Sequence, residues 1–147
     1  MKTQPLIYVL LILLLAATLL LAACKGGGED EPTPADQVRN LLAASEWNLQ
    51  SVQVDGVDKT ATYSGLKIQF TGNSFTTVNG KAIWPASGTW SFTDDTATKI
   101  KRNDGLEMDI VNISTSNLQL QFTWNSSSLG AGRTTSVAGS HVLILGH

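Results

Sequence analysis

The sequence predicts an all-β domain in which eight antiparallel strands close into an up-and-down barrel, preceded by one short helix. From Trp47 onward, apolar residues alternate with polar ones, and turn-forming residues recur about every ten positions, as is typical of an antiparallel sheet. A barrel is favoured because closure leaves no unpaired edge strand. A two-sheet sandwich is the alternative.

A short helix is predicted ahead of the first strand. Thr33-Pro34-Ala35-Asp36 fits a capping box with proline at the first helical position, where a missing N–H group costs nothing. Val38, Leu41 and Leu42 then fall at positions i, i+3 and i+4, so one side of the helix is apolar. We expect this side to close one end of the β domain.

The first strand is predicted to begin at Trp47 and to end at Val54. Strict alternation would place Trp47 and Leu49 on one face and Val52 and Val54 on the other. A β-bulge changes the face that the following residues present. We therefore predict a bulge near Ser51.

Seven further strands follow from the same alternation. The seventh strand of the eight is the clearest, since its apolar residues alternate with Gln119, Gln121 and Thr123 and fit no helix. The predicted strands run from about Leu66 to Phe70, Phe75 to Val78, Gly88 to Phe92, Ala97 to Arg102, Leu106 to Ile110, Leu118 to Trp124 and His141 to Leu145.

Two connections between these strands are predicted to be long. Asn79-Gly80 favours a two-residue hairpin turn, but Pro85 interrupts pairing, so Lys81–Ser87 is interpreted as a connection. Asn125–Gly139 is rich in serine and glycine and shows no periodicity. Connections of this length are uncommon in compact domains unless they serve a function or are disordered.

The N-terminal segment has the pattern of a secretory signal. Lys2 is followed by an apolar stretch from Leu6 to Leu20, and small residues precede the expected cleavage point. Leu21-Ala22-Ala23-Cys24 resembles the lipobox of bacterial lipoproteins, which implies that Cys24 receives a diacylglyceryl thioether and an N-linked acyl chain such as palmitate. The alternative is an uncleaved anchor over Leu6–Ala23, about the minimum length that spans a bilayer.

This pattern divides the chain into a signal peptide at 1–23, a lipidated flexible tether at 24–34 and a barrel domain at 35–147. The tether is rich in glycine, acidic residues and proline, which favours flexibility. Its acidic stretch, Glu29-Asp30-Glu31, looks like the surface-export signals of Bacteroidetes lipoproteins. We expect an outer-membrane anchor, facing either the cell surface or the periplasm.

The composition disfavours a nucleic-acid partner. The chain has 10 Lys and Arg residues against 12 Asp and Glu residues, a net charge of −2, whereas phosphate binding relies on clustered basic residues. Lys99, Lys101 and Arg102 form the one basic cluster. This cluster is interpreted either as an anion or headgroup contact or as protection against edge pairing.

Catalysis and metal binding have little support in the sequence, so we expect no enzyme, no catalytic residue, no metal and no cofactor. His141 and His147 are the two histidines, and neither has further ligands at metal-binding spacing. We expect His141 to be an ordinary strand-end residue and His147 to fray. Glu107 and Asp109 share one face of a strand, which favours a solvated exterior over an acid–base pair.

Three segments resemble the lipocalin-like lipoproteins of Bacteroidetes: Leu49–Gly56, Ile83–Phe92 and Gly132–Gly139. The resemblance implies a lipocalin-like barrel. Lipocalins proper carry a glycine two residues before a tryptophan on the first strand; here Ser45-Glu46-Trp47 keeps the tryptophan and lacks the glycine. Arg133 is a loose candidate for the arginine that packs on this tryptophan in lipocalins.

Two functional hypotheses follow, and a third, that the protein is an enzyme, is the weakest. The first is a monomeric carrier or sensor of a small apolar or amphipathic ligand, with Trp84, Trp90 and Trp124 as candidate ligand-binding residues. The second is a module with a filled barrel that binds protein or glycan on its surface. Trp84 lies beside Pro85 in a connection, where its ring either is exposed for binding or caps the barrel. The interior volume discriminates between the two hypotheses.

Overall fold

The predicted strands and helix are present in a computed structural model, which describes residues 31–126, 128–130 and 133–147. The signal peptide, Cys24 and the acids Glu29 and Asp30 therefore lie outside the described residues. Within them, the elements are α1 (Pro34–Ala43), β1 (Trp47–Val54), β2 (Val57–Asp58), a 3-10 helix (Thr60–Tyr63), β3 (Lys67–Thr71), β4 (Ser74–Val78), β5 (Ser87–Phe92), β6 (Lys99–Arg102), β7 (Glu107–Ile113), β8 (Asn117–Trp124), β9 (Ser128–Gly130), β10 (Arg133–Ser136) and β11 (Gly139–Gly146).

Eight of these strands form a closed antiparallel barrel. Each barrel strand pairs with the next one in the order β1, β3, β4, β5, β6, β7, β8 and β11. The barrel closes because β11 also pairs with β1, in a register that runs from Asn48 opposite Gly146 to Val54 opposite His141. The up-and-down barrel is thus confirmed, and the sandwich is wrong.

The alternation of strand direction gives the barrel two distinct ends. The connections after β1, β4, β6 and β8 lie at one end, which we call the loop end; they span 55–66, 79–86, 103–106 and 125–138. The connections after β3, β5 and β7 lie at the other end, which we call the helix end because α1 leads into β1 there; they span 72–73, 93–98 and 114–116. Three of the four loop-end connections are thus longer than any connection at the helix end.

Helix α1 begins with the predicted capping box. The Asp36 N–H group donates to Thr33 Oγ1 at 3.2 Å, and the Thr33 N–H group donates to the Asp36 carboxylate at 3.2 Å. Leu42 is fully buried, and its carbonyl oxygen accepts a hydrogen bond from the Trp47 indole at 2.9 Å. The apolar side of α1 therefore closes the helix end, as predicted.

The predicted bulge lies in β1, where the register with β11 shifts between Leu49 and Ser51. The extra residue reverses the alternation, so that Trp47, Val52 and Val54 are all buried in the barrel. The bulge thus explains how odd- and even-numbered residues of the same strand are buried in one core.

The segment after β4 is a long connection, as predicted from Pro85, and Asn79-Gly80 does not form a two-residue hairpin turn. The backbone bends at this point, with φ of 55° at Asn79, but β5 begins only at Ser87. The Trp84 N–H group instead donates to the Gly80 carbonyl at 2.9 Å. A Cβ atom on Gly80 would lie 2.0 Å from the Trp84 carbonyl oxygen, so glycine is required there by this close approach.

Four further features differ from the prediction. The Asn125–Gly139 connection contains a two-stranded hairpin, in which Arg133 pairs with Gly130. β2 and the 3-10 helix occupy the connection after β1, and β6 begins at Lys99, since Ala97 has a positive φ of 56° that a regular strand does not allow. Strand β11 begins at Gly139, two residues before the predicted start.

Candidate functional site

Among the described residues, the barrel interior is packed with side chains. The buried apolar residues of the described chain form one cluster, with Leu42 of α1 at the helix end. A gap of about 150 Å³ lies among six of the core side chains and leaves no room for a water molecule. Its lining residues are Tyr63, Leu66, Ile83, Trp84, His141 and Leu143.

The three candidate ligand-binding tryptophans take separate positions. Trp84 is 1% exposed and meets the Phe75 ring edge-on, with centroids 5.6 Å apart. Trp90 is also buried and donates its indole N–H group to the Ser74 carbonyl at 3.3 Å. Trp124 is partly buried against the core at the end of β8. Of the two alternatives for Trp84, the exposed ring is therefore wrong. Ligand contact by the three rings stays a prediction.

Arg102 holds Trp84 in place at the loop end. The guanidinium group lies 5.0 Å from the Trp84 ring centroid and 5.7 Å from that of Phe75, and Arg102 is only 2% exposed. It donates to the Ile83 carbonyl at 2.6 Å and to Asp104 at 3.1 Å. The hydrogen bonding of Arg102 to the Asp104 carboxylate holds the pKa of Asp104 below its usual value. The charge is thus compensated, as a buried cation requires.

The basic cluster expected from the sequence is divided between the two faces of β6. Arg102 points into the barrel, whereas the other two cations lie outside and pair with the acids of β7. Lys99 Nζ lies 3.2 Å from Asp109, and Lys101 Nζ lies 3.0 Å from Glu107. Glu107 and Asp109 are exposed, as predicted. Each lysine therefore already has a carboxylate partner, which weakens the anion-contact interpretation.

His141 lies in the core and is not an ordinary strand-end residue. Its side chain is fully buried, and its ring stacks on Phe122 with centroids 5.2 Å apart. Nε2 lies 3.0 Å from the Tyr63 hydroxyl, and Nδ1 lies 3.0 Å from the Gly139 carbonyl oxygen. Burial lowers the pKa of His141, so the neutral ring is favoured. The period-2 pattern of β11 was the one sequence signal that pointed inward.

His147 is held by contacts, so the prediction that it frays is wrong. Its ring centroid lies 4.5 Å from that of Trp47, and its Nε2 atom contacts the Thr115 carbonyl. It thus covers the tryptophan for which the sequence suggested Arg133, whose side chain lies outside the part that the structure describes.

The outer surface carries an open polar groove near the loop end. It measures about 400 Å³, and its lining comes from β6, β7, β8 and β11. The residues with polar side chains in this lining are Lys99, Glu107, Asp109, Gln121, Thr123, Asn125 and Ser140. A second groove of about 330 Å³ lies at the helix end beside Arg39 and Asp94. Both offer hydrogen-bond donors and acceptors to a polar ligand.

Comparisons with known proteins do not identify the chain. No protein-family model matches the sequence, and no curated protein is significantly similar to it. Across the described ranges, no three His, Cys, Asp or Glu side chains converge as a metal site would require. No helix in that part of the chain is long and apolar enough to span a membrane.

Proposed function

We propose that the chain is a lipid-anchored lipoprotein with a lipocalin-like domain that binds its partner on the outer surface of a filled barrel. The packed interior is the observation that carries this proposal. Pockets for drug-sized ligands have volumes of about 300–1,000 Å³. The gap at the loop end does not admit even a water molecule. A ligand of fatty-acid size would have to displace core side chains such as Phe122.

The surface chemistry favours a glycan over a protein as the partner. Protein interfaces are enriched in aromatic residues at their centres, whereas the exposed large hydrophobic residues of the described chain are Val57, Val78 and Val111. The polar groove on β6, β7, β8 and β11 instead presents carboxylate, amide, hydroxyl and ammonium groups. Sugar hydroxyls both donate and accept hydrogen bonds, so such a mixed lining suits them.

The glycan proposal is tested by binding of the full chain, in detergent micelles, to an array of bacterial and host oligosaccharides. Gln121 lines the groove and is exposed, so Gln121→Ala should weaken binding of any retained glycan. Gln53→Ala is the matched control, because Gln53 is an exposed strand residue outside the groove lining. No glycan retained, or equal losses in both variants, would contradict this proposal and favour a protein partner.

The anchor is proposed at Cys24, with the acyl chains in the outer membrane. Several acyl chains give stable attachment, whereas a single chain is marginal. Cys24→Ala should abolish incorporation of a fatty-acid analogue during metabolic labelling. Label that persists on this variant would show that Cys24 is not the lipidated residue.

A small apolar ligand at the loop end is the second candidate function. Its support is that the gap lies beside Trp84, whose indole nitrogen is buried without a hydrogen-bond partner. A loosely packed site with an unused donor is a place where a ligand group could bind. A lipophilic probe that quenches tryptophan fluorescence in the wild type but not in Trp84→Ala would favour this candidate over the filled barrel.

A further inference from the structure

A continuous chain of hydrogen bonds runs through the buried histidine at the loop end. A carbonyl oxygen only accepts, so the contact with Gly139 places the proton of the neutral ring on Nδ1. Nε2 is then an acceptor and receives the Tyr63 hydroxyl proton at 3.0 Å. The Tyr63 oxygen in turn accepts the Val137 N–H group at 3.1 Å. Every hydrogen bond in this chain therefore has an assigned donor and acceptor.

These bonds join segments that are far apart in the sequence. Tyr63 ends the 3-10 helix, Val137 lies in the last part of the connection after β8, and His141 lies in β11. The Tyr63 and His141 positions are 78 residues apart. The chain thus fastens the longest loop-end connection to the barrel.

We propose that this hydrogen-bond chain is an acid-sensitive latch, in which protonation of His141 at Nε2 releases the Val137 N–H group from Tyr63. The proposal is independent of the glycan site, because neither Tyr63 nor His141 lines the polar groove.

The chemistry of the ring makes the latch sensitive to a proton. A protonated imidazole has donors on both nitrogens and no acceptor. The Tyr63 hydroxyl would then face an N–H group and lose the acceptor of its own proton. The surrounding gap is walled by Leu66, Ile83 and Leu143 and has no room for a replacing water. An unpaired buried polar group is costly, so the protonated ring favours an opened arrangement.

The charged surroundings of His141 set the direction of the effect. Burial lowers the pKa of the ring and is the largest influence, while the carboxylate of Asp55, just after β1, raises it. Asp55 also accepts the Ser140 N–H group at 2.9 Å. Burial raises the pKa of Tyr63, which therefore stays protonated. Phe122 on β8 and Trp84 in the connection after β4 present no titratable group to the ring.

The sign of the pH dependence follows from these directions. The folded protein binds the proton more weakly than the open form, in which the pKa returns towards its ordinary value of 6.5. The latch is therefore fully stable above pH 6.5, and its stability decreases as the pH falls from there through the lowered pKa of the closed form.

Hydrogen exchange at the Val137 amide of the full chain in micelles tests the latch between pH 5 and 8. After correction for intrinsic exchange, protection should fall between pH 6.5 and the lowered pKa of the closed form, approaching tenfold per pH unit, because opening takes up one proton. Asp55→Asn keeps an acceptor for Ser140 but removes a charge that raises the pKa of the closed form, so the fall should continue to lower pH. His141→Gln should abolish it, and His147→Gln should leave it unchanged.

Protection that does not vary with pH, or that varies equally in His141→Gln, would overturn the latch. If His141→Gln does not fold, an NMR titration of the His141 ring in the wild type decides. A ring midpoint that coincides with the change at the Val137 amide supports the latch, and a midpoint that does not coincide overturns it.

Discussion

The two ends of the barrel differ in how a buried tryptophan indole is bonded. At the helix end, the Trp47 indole is bonded to the Leu42 carbonyl, and α1 covers the core. At the loop end, Trp84 is equally buried, but its indole nitrogen has no partner in the described chain. Arg102 and His141 are also buried there. The helix end therefore has the organisation of a stabilising cap.

The loop end has the organisation expected of a region that changes. Three of its four connections are longer than any at the helix end, and its described core side chains leave a gap between them. Binding and switching elements are commonly drawn from such less tightly packed regions. One continuous core is thus closed by a hydrogen-bonded helix at one end and is less tightly packed at the other.

The largest expected effect tests whether β8 contributes to that core along its length. Phe122 is 4% exposed and stacks on His141, whereas Gln121 faces solvent. Phe122→Ala should lower the free energy of unfolding by about 3–5 kcal/mol, while Gln121→Ala should change it by less than about 0.5 kcal/mol. Denaturant melts measure both. Equal losses would show that the alternation of buried and exposed residues along β8 has been misassigned.

A matched pair of tryptophan variants compares the two ends directly. Trp47→Phe leaves the Leu42 carbonyl without its donor, whereas Trp84→Phe removes a donor that had no partner. The first should therefore cost about 1–3 kcal/mol more in unfolding free energy than the second. Chemical denaturation of both variants gives the difference. A larger loss for Trp84→Phe would mean that the Arg102 contact outweighs the unpaired N–H group.

The smallest expected effect concerns the start of α1. Thr33→Ala removes the capping acceptor of the Asp36 N–H group and should lower stability by about 1 kcal/mol. Thr33→Ser keeps the acceptor and is the control. Separately, hydrogen bonds that the Thr33 hydroxyl and N–H group donate to the Asp36 carboxylate hold the pKa of Asp36 below its ordinary value of 3.8, so what these two bonds add should be present above that pH and be lost as the pH falls below it. A Thr33→Ala variant as stable as Thr33→Ser would show that the cap does not contribute.

The barrel strands could be predicted because their signal is local. Alternation along Trp47–Val54 and Leu118–Trp124 is sufficient to define β1 and β8 within one residue. Closure could be inferred as well, since eight strands in series otherwise leave two exposed edges. The β9–β10 hairpin could not, because its small and polar residues carry no apolar alternation.

The loop-end site was beyond sequence reasoning for a different reason. Trp84 lies in the connection after β4, and its ring is covered by Arg102, which reaches it from β6. The role of His141 depends on Tyr63, far away in the sequence. Neither distance is visible in a local pattern, and Pro85 gave a signal for a connection without showing that the connection folds inward. Tertiary contacts, rather than propensity, placed these residues.

Titration of residues 32–147, which form one compact unit, with a fluorescent fatty-acid probe tests the filled barrel most directly. Because the gap among the described core side chains has no space for a water molecule, a filled barrel predicts a weak signal that rises linearly without saturation. A signal that saturates at one probe per protein and is displaced by unlabelled fatty acid would contradict it.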